Sequence, residues 1–272
     1  MWSIEVAINA GIVQSNLGPH IFFESGDIEY ADFGPYFSSP HVNVLDKKDA
    51  PKAKARLTTL LRLISGVKIL QGSRPLNPRS STLYYLTDSG RYDKIDTHVD
   101  LNTLLEELAN PFDSSVLKEL NEKEVYNPLN QTNDYFQLCV DNDLVREVIL
   151  LLTLGEEQAL YFLINTYKIV ENILNDLKLT KNNSKVHTTN KSPEDLPSYL
   201  LDSLSDVNEY AQYINSRDAS GILSRHGVTK ISVPQHTPSM TEIRKALILA
   251  VNDWLNYKCI TIYGSDYKQP SS

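Results

Sequence analysis

The sequence predicts an α+β chain: a small N-terminal unit of mixed sheet and helix, followed by an all-α bundle of about five helices. Two observations carry this. Up to about residue 98 the apolar residues alternate in short runs around one long helical pattern. Beyond that point the apolar spacing becomes three and four residues almost throughout. The expected division is 1–98 and 99–272, with 180–197 as a flexible polar loop.

Each element has a local reason. In 3–10, Ile4, Val6 and Ile8 alternate with Glu5 and Asn9, which is strand period. Strands are also expected over 20–25, 27–33 and 41–46, because Gly26, Gly34-Pro35 and Ser39-Pro40 punctuate them. The segment 50–70 places Ala53, Leu57, Leu60, Leu61 and Ile64 at helical spacing, with Gly66 as the expected stop. Two strands are expected in 82–98, around Asp88-Ser89-Gly90. Helices follow over 100–110, which ends before Pro111, and more weakly over 112–125. A helix over 141–154 is broken by Gly155. A second over 156–179 carries the stripe Leu160, Leu163, Tyr167, Val170, Ile173, Leu174 and Leu177. The segment 198–216 is helical. In the last helix, 239–259, Ser239 and Glu242 form a capping box and Ile243, Leu247, Ala250, Val251 and Trp254 give the buried face.

Composition narrows the function classes. The chain has 272 residues and a formal net charge of −8. A broad cationic surface for duplex nucleic acid is not expected, whereas a local basic patch is compatible with this charge. Cys139 and Cys259 form no CxxC pair, and the six histidines show no metal-ligand spacing, so no metal and no cofactor are expected. The N-terminus lacks the pattern of a signal peptide, and charges interrupt the most apolar run, 144–164. The expectation is a cytoplasmic protein without a membrane segment. Glycine patterns of phosphate loops, dinucleotide folds and nucleophile elbows are absent from the sequence.

Three stretches raise chemistry. The first is "NSRDASGILSRHGV", from Asn215 to Val228. If the helix from Ser198 runs on to His226, Asn215, Ile222 and His226 share one face, and Arg217 and Arg225 another. Gly221 sits inside and is a candidate break. Gly227 reads as a helix stop, which would place Arg225 and His226 in a last turn where cations complement the helix dipole. That reading needs no function. The functional reading is RNA cleavage: a histidine activates the 2′-hydroxyl and a guanidinium steadies the phosphate. The second stretch is 41–48, where Asp46 and Lys48 form a D-x-K pair after the acidic residues Asp27, Glu29 and Asp32. The pattern occurs in metal-dependent nucleases, and solvated turn residues explain it equally. The third, 22–37, holds four Phe and two Tyr among acidic residues, as core packing or as a recognition face.

The pieces 162–174, 212–227 and 240–255 resemble the HEPN superfamily (higher eukaryotes and prokaryotes nucleotide-binding). The resemblance implies a helical bundle, often dimeric. It also implies a metal-independent ribonuclease of defence or toxin systems, built on an Arg, a polar neighbour and a His a few residues on. Here the candidates are His226 as acid/base, Arg217 or Arg225 on the phosphate, and Asn215 as the polar residue. Eight residues separate Arg217 from His226, where the family's motif has four to six. The resemblance thus implies RNA as a partner and a homodimer through the bundle. The alternative is a catalytically inert scaffold that binds a protein through the N-terminal β-rich unit.

Overall fold

A computed structural model describes residues 1–7, 17–24, 35–87, 89–123, 130–227 and 231–267. The expected strands over 27–33 and the turn at Gly26 lie outside these residues. The fold is α+β, and the chain divides into two compact units. The first comprises 1–68 and 74–143; the second comprises 69–73 and 144–272. The helices between 101 and 141 therefore cluster with the sheet.

In the first unit, β1 (Trp2–Ala7), β2 (Phe22–Glu24), β3 (Tyr36–Ser38), β4 (Asn77–Leu86) and β5 (Tyr92–Ile95) form one antiparallel sheet in the order β2-β3-β1-β4-β5. The central place of β1 explains why Ser3 and Glu5 are buried along with Ile4 and Val6. Tyr36, which lies opposite Glu5, packs its ring on Tyr84 at 5.3 Å and on Tyr92 at 5.8 Å. Phe37 is fully buried and meets Phe23 at 5.2 Å, so the described part of the aromatic stretch is chiefly packing.

The expected strand over 41–46 is instead a short helix, α1 (Pro40–Asn43). Ser39 is extended, its side chain accepts from the His41 N–H, and Pro40 occupies the first helical position. Serine cap plus proline start a helix here and outweigh the β-branched valines. The next helix, α2 (Ala50–Leu70), runs through Gly66. Its stop is Gly72, which has φ +80° and whose N–H donates to the Ile69 carbonyl. Leu57, Leu60, Leu61, Leu63, Ile64 and Val67 are all buried, as befits a helix apolar around its circumference.

Among the described residues the unit has three more helices: α3 (Leu101–Ala109), α4 (Ser114–Glu122) and α5 (Gln131–Asp141). Asp100, Asp113 and Asn130 cap them with side-chain acceptors. α5 has no counterpart among the expected elements. Residues Thr132–Cys139 are all buried, polar and apolar alike, which erases the amphipathic period. Buried Arg56 of α2 binds buried Glu107 of α3 bidentately, at 2.7 and 3.0 Å, and also donates to the His41 carbonyl at 2.7 Å.

The second unit contains α6 (Asp143–Glu157), α7 (Ala159–Asp176), the hairpin β6 (Thr180–Asn182) and β7 (Lys185–His187), α8 (Ser198–Asn208), α9 (Ala211–Asn215), α10 (Arg217–Ser220) and α11 (Met240–Tyr263). α6 passes through Gly155, and the break falls at Gln158. The capping box of Ser239 and Glu242 is present, and the five predicted core positions of α11 are all buried. Trp254 donates to Asp176 at the end of α7, and Lys258 pairs with the same carboxylate at 2.8 Å. The segment 180–197, expected to be a flexible loop, contains the hairpin. Buried Val186, Asn208 donating to the Asn183 and Ser184 carbonyls, and Thr189 and Ser192 donating to the Lys178 carbonyl all tie it down. Among the described residues no helix is long and apolar enough to cross a membrane.

Arg56→Met should destabilise the protein by about 3–5 kcal/mol in urea denaturation, because it strands the Glu107 charge; Arg56→Met with Glu107→Leu should recover most of this.

Candidate functional site

The segment 215–227 is neither the continuous helix nor the helix end that its sequence suggests. α9 stops at Asn215 because Ser216 turns extended, with ψ 114°. Arg217–Ser220 make a single turn, and Gly221 reverses it with φ +60° and ψ −131°, a conformation open to glycine. Gly221–Leu223 form a 3₁₀ turn, and Arg225-His226-Gly227 follow in a bend. Asn215, Ile222 and His226 therefore share no helical face, nor do Arg217 and Arg225. Gly227 stops no helix, so the dipole account of Arg225 and His226 falls as well.

What the fold does instead is close a loop. The Arg225 N–H donates to the Ile214 carbonyl at 2.9 Å, which returns the chain to the end of α9 beside Asn215. The Ser216 hydroxyl donates to the Ile231 carbonyl, and Gln212 donates to Ser232, so the same end of α9 also holds the chain beyond the loop. Arg225 lays its guanidinium over the Tyr167 ring at 3.7 Å. Lys181, on β6, lies 4.8 Å from the same ring, donates to the Tyr167 hydroxyl and pairs with Glu171. His226 is half-buried, its N–H held by the Ser224 hydroxyl at 3.3 Å. Arg217 is exposed on α10. The fold thus gathers Asn215, Arg225 and His226 at one closure and leaves Arg217 on a separate turn. Tyr167 and Lys181 were not singled out for chemistry in the sequence, where Tyr167 counted as one member of an apolar stripe.

Beside this loop, Gly155, Glu156, Ala159, Phe162, Leu223, Met240, Thr241 and Arg244 line a mainly apolar pocket of about 230 Å³. Arg244 binds Glu156 at 2.6 Å on its wall. Ile222, next to Leu223, is 84% exposed.

Of the residues in the D-x-K reading, Asp46 and Lys48 fall among the described ones. Asp46 and Lys48 are exposed, pair with each other at 3.3 Å and lie at the turn ahead of α2; Asp27, Glu29 and Asp32 are outside the described residues. Among the described residues no group of three His, Cys, Asp or Glu side chains could hold a metal ion.

A second constellation lies in the first unit, from histidines that the sequence scatters. His20 and His41 are both buried, with His20 Nδ1 3.0 Å from His41 Nε2. The Asp113 N–H donates to His41 Nδ1 at 3.0 Å, so that nitrogen is an acceptor and neutral His41 carries its proton on Nε2. His41 therefore donates to His20 Nδ1, and His20 donates from Nε2 to Gln137 Oε1 at 2.9 Å. Gln137 in turn donates to Asp141 Oδ1 at 3.0 Å. One backbone donor thus sets the direction of the entire chain. Burial, then the neighbouring His20, then Arg56 push the His41 pKa down to about 3, against the pull of Asp113. Burial likewise lowers that of His20, opposed by Gln137 and Asp141. Burial would raise the Asp113 carboxyl, but hydrogen bonds from Ser115 and Val116 and the Arg56 charge hold it below the usual range.

No protein-family model, curated protein or solved structure matches the chain.

A histidine depressed in the fold takes up its proton more readily once unfolded, so stability is full above about pH 6.5 and falls as pH drops toward the folded value. Urea denaturation between pH 6.5 and 5 should show a loss approaching about 1.4 kcal/mol per pH unit from His41 alone. His41→Asn should flatten that slope.

Proposed function

We propose that the second unit binds single-stranded RNA and cleaves it without a metal, with Arg225 holding a phosphate and His226 acting as acid or base. The observation that carries this reading is the stacking of Arg225 on Tyr167. Stacking engages the flat face of a guanidinium and leaves its in-plane N–H groups directed outward, in the fork geometry that matches a phosphate. Held this way, the side chain is ordered before a ligand arrives. Lys181 adds a second cation at the same ring. Asn215, beside the loop closure, is the polar neighbour, and Arg217 on its exposed turn contributes charge to the approach of an anionic strand. The resemblance to HEPN ribonucleases points the same way and suggests a role in bacterial defence or a toxin system.

The test is a fluorescent single-stranded RNA, assayed for binding and for cleavage in the presence of EDTA. Arg225→Ala should weaken binding about tenfold. His226→Ala should keep binding and lower cleavage by about 10²–10⁴-fold. Binding without cleavage in the wild type would leave an inert RNA-binding protein, and no binding would end the reading.

A specific observation favours a second reading, an inert scaffold that works by protein contact. Ile222 stands out at 84% exposure beside the mainly apolar pocket. A projecting side chain and a hollow on one surface are what a two-fold contact between copies of this chain requires. Light scattering should then show a dimer that Ile222→Asp converts to monomer with no change in thermal stability. A monomeric wild type at high concentration would refute it. The N-terminal unit remains the other candidate surface for a protein partner, through the half-exposed Tyr92 of its tyrosine cluster.

A further inference from the structure

We infer that the outer face of α3 is a docking surface for a cationic amphipathic helix of a partner protein. This helix faces the core with its charge and solvent with its leucines. Its one buried residue is Glu107, which is 2% exposed and bound by Arg56. Leu101 is 68% exposed and Leu105 54%. These two stand four residues apart on one face of the helix, and exposed Ala109 follows four further on. Leu104 and Leu108 are half-buried beside them. Positions 101, 104, 105 and 108 have the i, i+3, i+4, i+7 spacing of a helix–helix seam. The Arg56–Glu107 pair fixes this rotation, because Glu107 cannot turn outward without stranding the buried guanidinium. A single exposed leucine is ordinary, whereas leucines aligned along one helix form a continuous apolar strip.

Charge identifies the occupant. Residues 93–110 contain five carboxylates, Asp93, Asp96, Asp100, Glu106 and Glu107, against a single lysine, Lys94. Asp93 pairs with Lys47 and Glu107 with Arg56, and Lys52 also lies 3.8 Å from Glu107. Lys54 donates to the Thr97 carbonyl. Asp96, Asp100 and Glu106 are exposed, and none of them pairs with a cation among the described residues. Asp100 caps α3 and Glu106 follows Leu105, so these two charges sit at the start and on the flank of the leucine strip. An apolar strip with uncompensated carboxylates complements a helix that carries apolar residues on one face and Lys or Arg at its borders. A second copy would set the same carboxylates against each other across a two-fold axis, and an anionic lipid surface would meet the same repulsion. With nine residues, α3 is about 13 Å long, so the contact is small and the complex weak and reversible. This surface shares no residue with the RNA reading and stands or falls separately.

The probe is a fluorescent peptide of leucine and lysine, about four helical turns long, with its leucines at helical spacing. One control has the same composition with leucine and lysine alternating. The other keeps the helical pattern with glutamate in place of lysine. Anisotropy titrations with the full-length protein should give a Kd on the order of 10–100 μM for the helical lysine peptide and about tenfold weaker binding for the alternating one. The glutamate peptide should not bind. Leu101→Gln with Leu105→Gln, at exposed positions, should weaken the lysine peptide about tenfold and leave thermal denaturation unchanged. Asp96→Asn with Glu106→Gln should also weaken it and should flatten its dependence on salt. Unchanged binding in either double variant, equal affinity for the two lysine peptides, or binding of the glutamate peptide would each overturn the proposal. So would self-association in light scattering, or attachment to phosphatidylglycerol vesicles, that the double leucine variant abolishes, since either gives the strip a different occupant.

Discussion

The first unit depends on the Arg56–Glu107 pair. A charge this deeply buried is tolerated because every part of the guanidinium has work: Nε and Nη2 hold the two carboxylate oxygens, and Nη1 holds the His41 carbonyl. The pair locks α2 to α3 and, through that carbonyl, to the short α1 helix. Asp113 lies 3.6 Å from the same guanidinium, and its backbone N–H sets the His41 tautomer. One ion pair therefore places both ends of the segment that determines how two buried histidines share their protons.

The consequence reaches the surface. From Asp113 to Asp141 each group has a single role: backbone donor, imidazole, imidazole, amide, carboxylate. Reversing any one link would set two donors or two acceptors face to face in the interior, which costs more than the bond contributes. The chain is thus a directional polar seam that runs on from the Arg56–Glu107 pair. Phe112 packs edge-on against both imidazoles and against Phe136.

The second unit solves a different problem. Its helices carry an ordinary apolar core, while the connection from α9 to α11 has little apolar surface to bury. That connection is organised by backbone and hydroxyl hydrogen bonds at the end of α9 and by Arg225 on Tyr167. Such a segment holds its shape through few contacts. Arg217, Ile222 and Arg225 of this segment are exposed.

Much of this fold was legible. Period-2 alternation located β1, the turn expected around residues 88–90 separated β4 from β5, and helical spacing located α2, α3, α6, α7 and α11, the last with its capping box. The failures have separate local causes. α5 hides because its residues are buried on all sides, so no polar face marks the period. Pro40 and Ser39 made α1 a helix where valines suggested a strand. Gly66 and Gly155 lie within helices because neither needed a positive φ, whereas Gly72 and Gly221 do adopt one. At the site, residue types pointed to Arg225, His226 and Asn215, but their assumed helical faces dissolved at Ser216 and Gly221. The sequence by itself determined the class, the helices with clear amphipathic period and the residues capable of acid–base or phosphate chemistry, since these follow from local spacing and side-chain type. Only the tertiary structure decided that Tyr167 meets Arg225 across 58 positions, and that His20, His41 and Gln137 form one hydrogen-bonded line. Those contacts depend on long-range packing, for which a one-dimensional pattern carries no signal.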